Sequence, residues 1–269
     1  MTTRTLALRI LPPPLVGLRA QRLIERNMLV YRRAWMILVS GFFEPVFYLL
    51  SLGIGMGRLV GEVAGPGGTT LSYAAFVAPA LLAASAMNGA VLESTINIFI
   101  KLRYGKIYDA ILATPLRPWD IAIGEITWSL IRGVLYSTGF VVVMAAMGLV
   151  ATPLVILAIP AATLIGFAFG AVGMAASTFM RSWQDFDLVV LFLLPMFLFS
   201  ATFYPLDVYP PALRALTQLS PLYHGVELIR AFTLRSFDLG ILGHVAYLIA
   251  LGSVGLVVAG RRLGALLNP

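Results

Sequence analysis

Six apolar stretches, each about as long as a bilayer is thick, constrain this chain more than any other feature. A helix needs roughly 20 mainly apolar residues to cross a hydrocarbon core of about 30 Å. Trp35 to Met56, Leu71 to Ile100, Ile121 to Val150, Pro153 to Met180, Asp187 to Tyr204 and Leu239 to Gly260 meet that need. With 59% hydrophobic residues, 12% charged residues and a mean hydropathy of +0.91, the chain lies well outside the range of soluble domains. Gly, Pro and polar residues are scattered through the spans, as packed helices tolerate, and no ten-residue alternation marks a barrel. The expected fold is all-α: a polytopic membrane protein with six transmembrane helices, its transmembrane domain covering residues 34–266.

The basic residues orient that bundle, because Lys and Arg are retained on the cytoplasmic side. With the N-terminus inside, fourteen of the nineteen fall in cytosolic segments, four in outer segments, and Arg132 within a span. Both termini are therefore expected in the cytoplasm. The net charge of +7 reflects this topology and contact with membrane lipid rather than nucleic-acid binding. A basic start followed by Pro12 to Pro14 lacks the apolar run of a cleavable signal peptide. No cysteine is present and only His224 and His244 supply imidazole, which argues against a metal site.

Two segments outside the spans are patterned. After a flexible tail, residues 1–14, the stretch 15–33 places Arg19, Arg22, Arg26 and Arg33 on one helical face, with Val16, Ala20, Leu23, Ile24 and Tyr31 roughly opposite. This predicts an interfacial helix with its basic side toward phosphates and cytosol. A plain basic flank would explain the charge but not the sidedness. Between the second and third spans, KLRYGKIYDAILATPLRPWD at Lys101 to Asp120 breaks the apolar pattern. Tyr104, Ile107, Tyr108, Ile111 and Leu112 follow helical spacing and form one apolar stripe, ended by Pro115 and Pro118. That stripe needs cover from the chain's own helix ends, from lipid headgroups or from a groove in a partner.

Within the spans the ionisable groups Glu44, Glu93, Glu125 and Arg132 stand out. A charge at a helix centre costs about 2.5–3.5 kcal/mol on insertion scales and normally faces a partner or water. Counted from the cytosolic ends at about 1.5 Å per residue, Glu44, Glu93 and Arg132 share one depth. Pairing of Arg132 with Glu93 or Glu44 is expected, pinning the first three helices together. Proton coupling would call for a longer chain of such groups. Pro45 beside Glu44 predicts a kink. In the fourth span Gly166, Gly170, Gly173, Ala171, Ala175 and Ala176 offer close helix contact, as in many polytopic proteins.

The ordered set FFEPVFYLLSLGIGMG (Phe42 to Gly57), YAAFVAPALLAASAM (Tyr73 to Met87), KLRYGKIYDAILATPLRPWDIAIGE (Lys101 to Glu125) and LSPLYHGVELIRAF (Leu219 to Phe232) resembles the membrane subunits of ABC-2 type exporters. The likeness runs from about Gly17 to Leu266. It is nearest to nodulation lipo-oligosaccharide export permeases and more distant from daunorubicin-type drug export permeases. The resemblance implies that Tyr104 to Leu112 is a coupling helix seated in a separate ATP-binding subunit, and that Val16 to Arg33 is a connecting helix on that same subunit. It implies ATP and Mg on that partner, none bound by this chain, and a second permease copy, identical or sister. No G-x-x-x-x-G-K-[ST] occurs, since Gly105-Lys106 is followed by Ile107.

The resemblance further implies short helices re-entering the outer leaflet between spans five and six, and Pro211 to Leu219 and Tyr223 to Leu234 fit that arrangement. Phe203, Tyr204, Tyr209, Tyr223 and Phe232 suit the interface there, as an outer gate or as a plain anchor. The function implied is export of an amphipathic or lipid-linked substrate such as a lipo-oligosaccharide, glycolipid or hydrophobic drug, from the inner membrane of a bacterium. An ion-driven secondary transporter would need an ion site and internal repeats, which are not evident. A membrane-embedded enzyme would need a catalytic constellation, and the sequence offers none.

Overall fold

The computed structural model describes residues 19–33, 36, 43, 46–65 and 69–267. The expected tail at 1–14, the start of the connecting helix and the Glu44-Pro45 pair lie outside those residues. In chain order, α1 (Gln21–Arg33) is followed by α2 (Val46–Val60) and a small hairpin, β1 (Glu62–Ala64) and β2 (Thr70–Ser72), paired antiparallel with Val63 opposite Leu71. Then come α3 (Tyr73–Tyr104), the short α4 (Ile107–Leu112), α5 (Pro118–Ala146), α6 (Pro153–Ser177) and α7 (Asp185–Leu198). The chain closes with α8 (Pro211–Leu219), α9 (Pro221–Leu234) and α10 (Gly240–Leu267). The hairpin departs from the all-α expectation. Its signal was the turn-forming Gly65-Pro66-Gly67-Gly68 between short apolar-polar alternations.

Helix starts follow local chemistry. The Ser72 hydroxyl accepts from the Ala75 N–H to open α3, and the Asp120 carboxylate accepts from the Arg117 N–H, with Pro118 in the first turn, to open α5. Two wide π-type stretches, Glu93–Asn97 and Ile100–Tyr104, carry α3 past its expected end at Ile100. The break before α5 is correspondingly shorter than the sequence pattern indicates.

Among the described residues four helices are long and apolar enough to cross a membrane: α3, α5, α6 and α10. The count of six is therefore not met there. Helix α2 lacks the part of its apolar run that lies outside the described residues, and α7 has only 14 residues and stops just after Pro195.

Helix α6 is the hub, packing against α3, α5 and α10. Small residues make this possible. A Cβ built on Gly255 of α10 would lie 2.7 Å from the Val172 nitrogen and 2.8 Å from the Ala171 carbonyl carbon, so only a bare Cα lets the two backbones meet. One core cluster joins α3, α6 and α9 through Phe76, Val77, Ile165, Phe169, Val226 and Ile229. A second gathers Leu23, Ile98, Tyr108, Ile121, Met174 and Leu263 where α1 and α4 meet the ends of the long helices.

Candidate functional site

At the α4 end, four helices converge on one carboxylate. Glu125, in the second turn of α5, is buried, and both its oxygens accept from the Lys101 ammonium, at 2.9 and 2.8 Å. The Asn27 amide of α1 donates to Oε2 at 3.2 Å, and the Tyr108 hydroxyl of α4 donates to Oε1 at 3.3 Å. Lys101 lies in the last turn of α3, so one ion pair with two flanking hydrogen bonds ties α1, α3, α4 and α5 together. Burial, then the Glu125 carboxylate, pushes the Tyr108 phenol well above its usual range. A charge-assisted cluster of this kind is rigid when every member is satisfied.

The apolar stripe on α4 is divided by this arrangement. Tyr108 is fully buried in the chain's own core, with Ile111 and Leu112 packed against the same cluster. Ile107 is half-buried, and Tyr104 is 61% exposed, stacked on Trp183 at 5.8 Å between ring centres. The face of α4 turned away from the bundle is Asp109 and Ala110, flanked by Lys106 and Ala113. Helix α1 departs likewise from the expected division into basic and apolar faces. Its buried edge is Leu23 and Asn27, with Leu23 and the preceding Ala20 against Gly124 of α5. Arg19 donates to the Pro115 carbonyl at 2.7 Å, and Arg26 is half-buried with one nitrogen unpartnered among the described residues. Arg22 pairs with Glu25, and Arg33 is exposed.

Deeper in the bundle, Arg132 pairs with Glu93, and the same guanidinium donates to the Tyr31 hydroxyl at 2.8 Å and the Tyr136 hydroxyl at 3.2 Å. Glu93 also accepts from Asn97 and Tyr31. Burial, then the Glu93 carboxylate, pushes the Tyr31 phenol up to about 12. Glu125, grouped with these by sequence, belongs instead to the Lys101 cluster, and Glu44 lies outside the described residues. Beside the Arg132–Glu93 pair opens a cavity of about 570 Å³ bounded by α2, α3, α5, α6 and α7.

The profile of the ABC-2 type transporter family matches residues 19–234, which takes in the Lys101–Glu125 cluster, the Arg132–Glu93 pair and everything through α9. The chain belongs to the ABC-2 type transporter family. It is 32% identical over 226 residues to nodulation protein J of Sinorhizobium fredii, covering 83% of this chain and 84% of that one. The same identity holds over 219 residues with nodulation protein J of Rhizobium leguminosarum bv. viciae, covering 81% and 83%. A probable multidrug ABC transporter permease of Escherichia coli, YbhR, is 26% identical over 177 residues, 64% of this chain and 47% of that one. This ABC-2 protein is an integral membrane component of a transporter, and its family works through transport rather than catalysis in the membrane subunit.

At its opposite end the ABC-2 chain caps the bundle with α8 and α9. The five aromatics grouped by sequence form three separate contacts. Phe203, Tyr204 and Tyr209 run edge to face with Phe197, Tyr223 sits against His224 and His244, and Phe232 meets Phe237. Three features went unread in the sequence. Lys101 looked like a loop cation. Arg230 looked like an outer-loop cation, yet it is buried, paired with Glu227 at 2.7 Å, hydrogen-bonded to the Ala201 carbonyl and laid over the Phe76 ring. His224 and His244 meet Nδ1 to Nδ1 at 2.7 Å, joining α9 to α10. Their signals were an opposite charge three residues before Arg230 and an amide at position 27 on the apolar edge of α1.

Proposed function

We propose that this chain is the permease subunit of an ATP-driven exporter, moving an amphipathic or lipid-linked substrate outward from the cytoplasm or inner leaflet of a bacterial inner membrane. The reading takes the α1/α4 end as cytosolic, with a separate ATP-binding subunit, carrying ATP and Mg, docked there. A second permease copy or a sister chain completes the pathway. Helices α2 and α7 supply the remaining two spans, and α8 and α9 re-enter the outer leaflet.

The observation that carries this is the Lys101–Glu125 cluster. A short exposed helix can transmit work only if it is fastened to the helices that move, and Tyr108 fastens α4 to the first turns of α5 and the last turn of α3 through Glu125. The basic inner segments support the orientation, and the absence of a phosphate-binding loop motif from the sequence supports an external ATPase.

The test is purification from the native host with wild type, Asp109→Arg and Ala110→Arg, both on the face of α4 away from the bundle. An ATP-binding subunit recovered stoichiometrically with wild type, and lost or uncoupled in the variants at unchanged thermal stability, is the expected result. A chain that purifies alone and transports without ATP would overturn the reading in favour of a secondary transporter.

A further inference from the structure

The exposed side of α10 ends in two consecutive arginines. Val254, Val257 and Arg261 lie at i, i+3 and i+7 and are all exposed, so an apolar stripe runs along the helix up to a guanidinium. Arg262 lies 22 residues beyond Gly240, about 33 Å along the helix at 1.5 Å per residue, against a hydrocarbon core of about 30 Å. Its neighbour Leu263 packs in the same cluster as Tyr108. The two arginines therefore stand at headgroup level, at the α4 end of the bundle.

We propose that Arg261 and Arg262 bind the phosphate of an anionic phospholipid whose headgroup carries no ammonium, of the phosphatidylglycerol type, with an acyl chain along the α10 stripe. The leaflet that supplies it rests on the orientation in the exporter reading; the binding itself does not.

The first argument is an unmet donor. Lys101, Arg132 and Arg230 each hold a carboxylate, but half-buried Arg262 holds none, and its Nε is buried with no acceptor among the described residues. Instead its guanidinium lies over the Phe179 ring, 4.3 Å from the ring centre. Phe179 is itself 56% exposed, so the ring keeps the guanidinium at the surface of the bundle rather than drawing it into the core. A guanidinium fork fixed in this way suits the acceptor oxygens of a phosphate.

The second argument is charge. Arg261 is exposed and makes no ion pair among the described residues. A Cβ built on Gly260 would lie 2.6 Å from the Trp119 ring, and this close contact brings the first turn of α5, preceded by exposed Arg117, to the same level. The acids on the adjoining segments are engaged with backbone: Asp120 accepts from the Arg117 N–H, and Asp185 accepts from the Arg181 and Ser182 N–H groups. By sequence, residues 1–18 add Arg4 and Arg9 and no acid. A zwitterionic lipid would bring an ammonium among these guanidinia, whereas a headgroup with only a phosphate charge meets no such repulsion.

The third argument separates a lipid from a protein partner. Val254 lies about 10 Å below Arg261 along α10, inside the hydrocarbon, where a water-soluble subunit cannot follow. Trp119 and Phe179 flank the arginines at the level where aromatic rings collect in membrane proteins.

The experiment uses the permease with whatever subunit co-purifies, delipidated in a neutral detergent, and counts bound lipids by native mass spectrometry. Phosphatidylglycerol, phosphatidylethanolamine and phosphatidylcholine of identical acyl chains are titrated, with inorganic phosphate as competitor. Phosphatidylglycerol is expected to fill its first site about tenfold more tightly than either zwitterionic lipid. Each basic side chain beside an anionic headgroup is worth about a fivefold change in binding, so Arg261→Gln/Arg262→Gln should weaken that site about twenty-five-fold and leave phosphatidylcholine binding as it was. Phe179→Ala removes the ring but no charge and should weaken it roughly two- to fivefold. Arg235→Gln, at an exposed arginine of the opposite end, should change nothing. Equal affinity for the three lipids, a site unchanged in the double variant, or displacement by inorganic phosphate as readily as by lipid would overturn the proposal. Loss of a co-purifying subunit from the double variant with phosphatidylglycerol binding intact would assign the arginines to that subunit and overturn it equally. Should the double variant fail to purify, Arg262→Gln alone decides, with a loss of about fivefold expected. Because lipid counting needs neither ATP nor transport, its failure leaves the α4 test of the exporter reading untouched, and failure of that test leaves this site standing.

Discussion

Replacing Lys101 with Met tests how the helices at the α4 end are held. In the intact protein the ammonium lies within 2.9 Å of both Glu125 oxygens, and the two side chains are 10% and 3% exposed. Lys101→Met leaves a buried carboxylate with only the Asn27 amide and the Tyr108 hydroxyl as donors. Removing one partner of a buried pair costs about 3–5 kcal/mol, or roughly two to three and a half powers of ten in the unfolding equilibrium. Glu125→Gln should cost less, about 1–3 kcal/mol, because the Lys101 stem near the end of α3 can carry its charge toward water. The double variant Lys101→Met/Glu125→Gln removes both charges and keeps an acceptor for Tyr108 and Asn27. It should return to within about 1 kcal/mol of wild type, since replacing a buried pair by neutral groups is often near neutral. Reversible unfolding in mixed detergent micelles, run as a double-mutant cycle, measures all three. A Lys101→Met protein within about 1 kcal/mol of wild type, or a double variant no better than that single one, would refute the view that this pair holds α3 to α5.

Two further outcomes can be checked separately. Gly255→Ala places a Cβ 2.7 Å from the Val172 nitrogen, which neither backbone can relieve without moving α10 off α6; a loss of about 1–3 kcal/mol is expected in the same unfolding assay, against almost none for Gly243→Ala, which meets open space. For the His224–His244 contact, burial first and His244 second lower the His224 pKa. The folded protein therefore prefers neutral His224, stability from this group is present above the ordinary value of about 6.5, and it is lost as pH falls through 6.5 and below. Glu227 and Asp238 lie near His244, and Tyr247 stacks on His224, so the slope is shared among these groups. A thermal melt followed from pH 8 to pH 5 should fall less steeply in His224→Asn than in wild type.

How much of this was legible in the sequence divides along physical lines. Long apolar runs announced α3, α5, α6 and α10, because burying backbone polar groups within lipid leaves the chain few options. Pro211 and Pro221 stand at the first positions of α8 and α9, where a helix tolerates proline. Equal depth and opposite charge offered Glu93 or Glu44 as the partner of Arg132, and it is Glu93 that lies against the guanidinium. What the pattern hid was the partner of each remaining charge. Lys101 and Arg230 both looked like loop cations because charge reads as exposure until a buried carboxylate is placed beside it, and Glu125 and Glu227 are set there by packing across helices and within a turn. The stripe on α4 was visible, but its spacing held no information on whether Tyr108 would turn inward, and Glu125 decided that.

The two wide turns in α3 carry a last consequence. Glu93 is held to α5 at mid-depth and Lys101 is held to α5 near its start, so the stretch between them is fixed at both ends by charges on a neighbouring helix. Each π-type stretch accommodates backbone that a regular α-helix of that rise would not, and deleting one residue there would turn everything beyond it by about 100° while shortening the helix by only about 1.5 Å. Bilayer thickness would hardly register such a change, but Lys101 would face away from Glu125. In this segment the spelling of the helix is set by the angular phase of its anchors, and insertions or deletions between residues 93 and 101 are ruled out where the same event in a lipid-facing helix would pass.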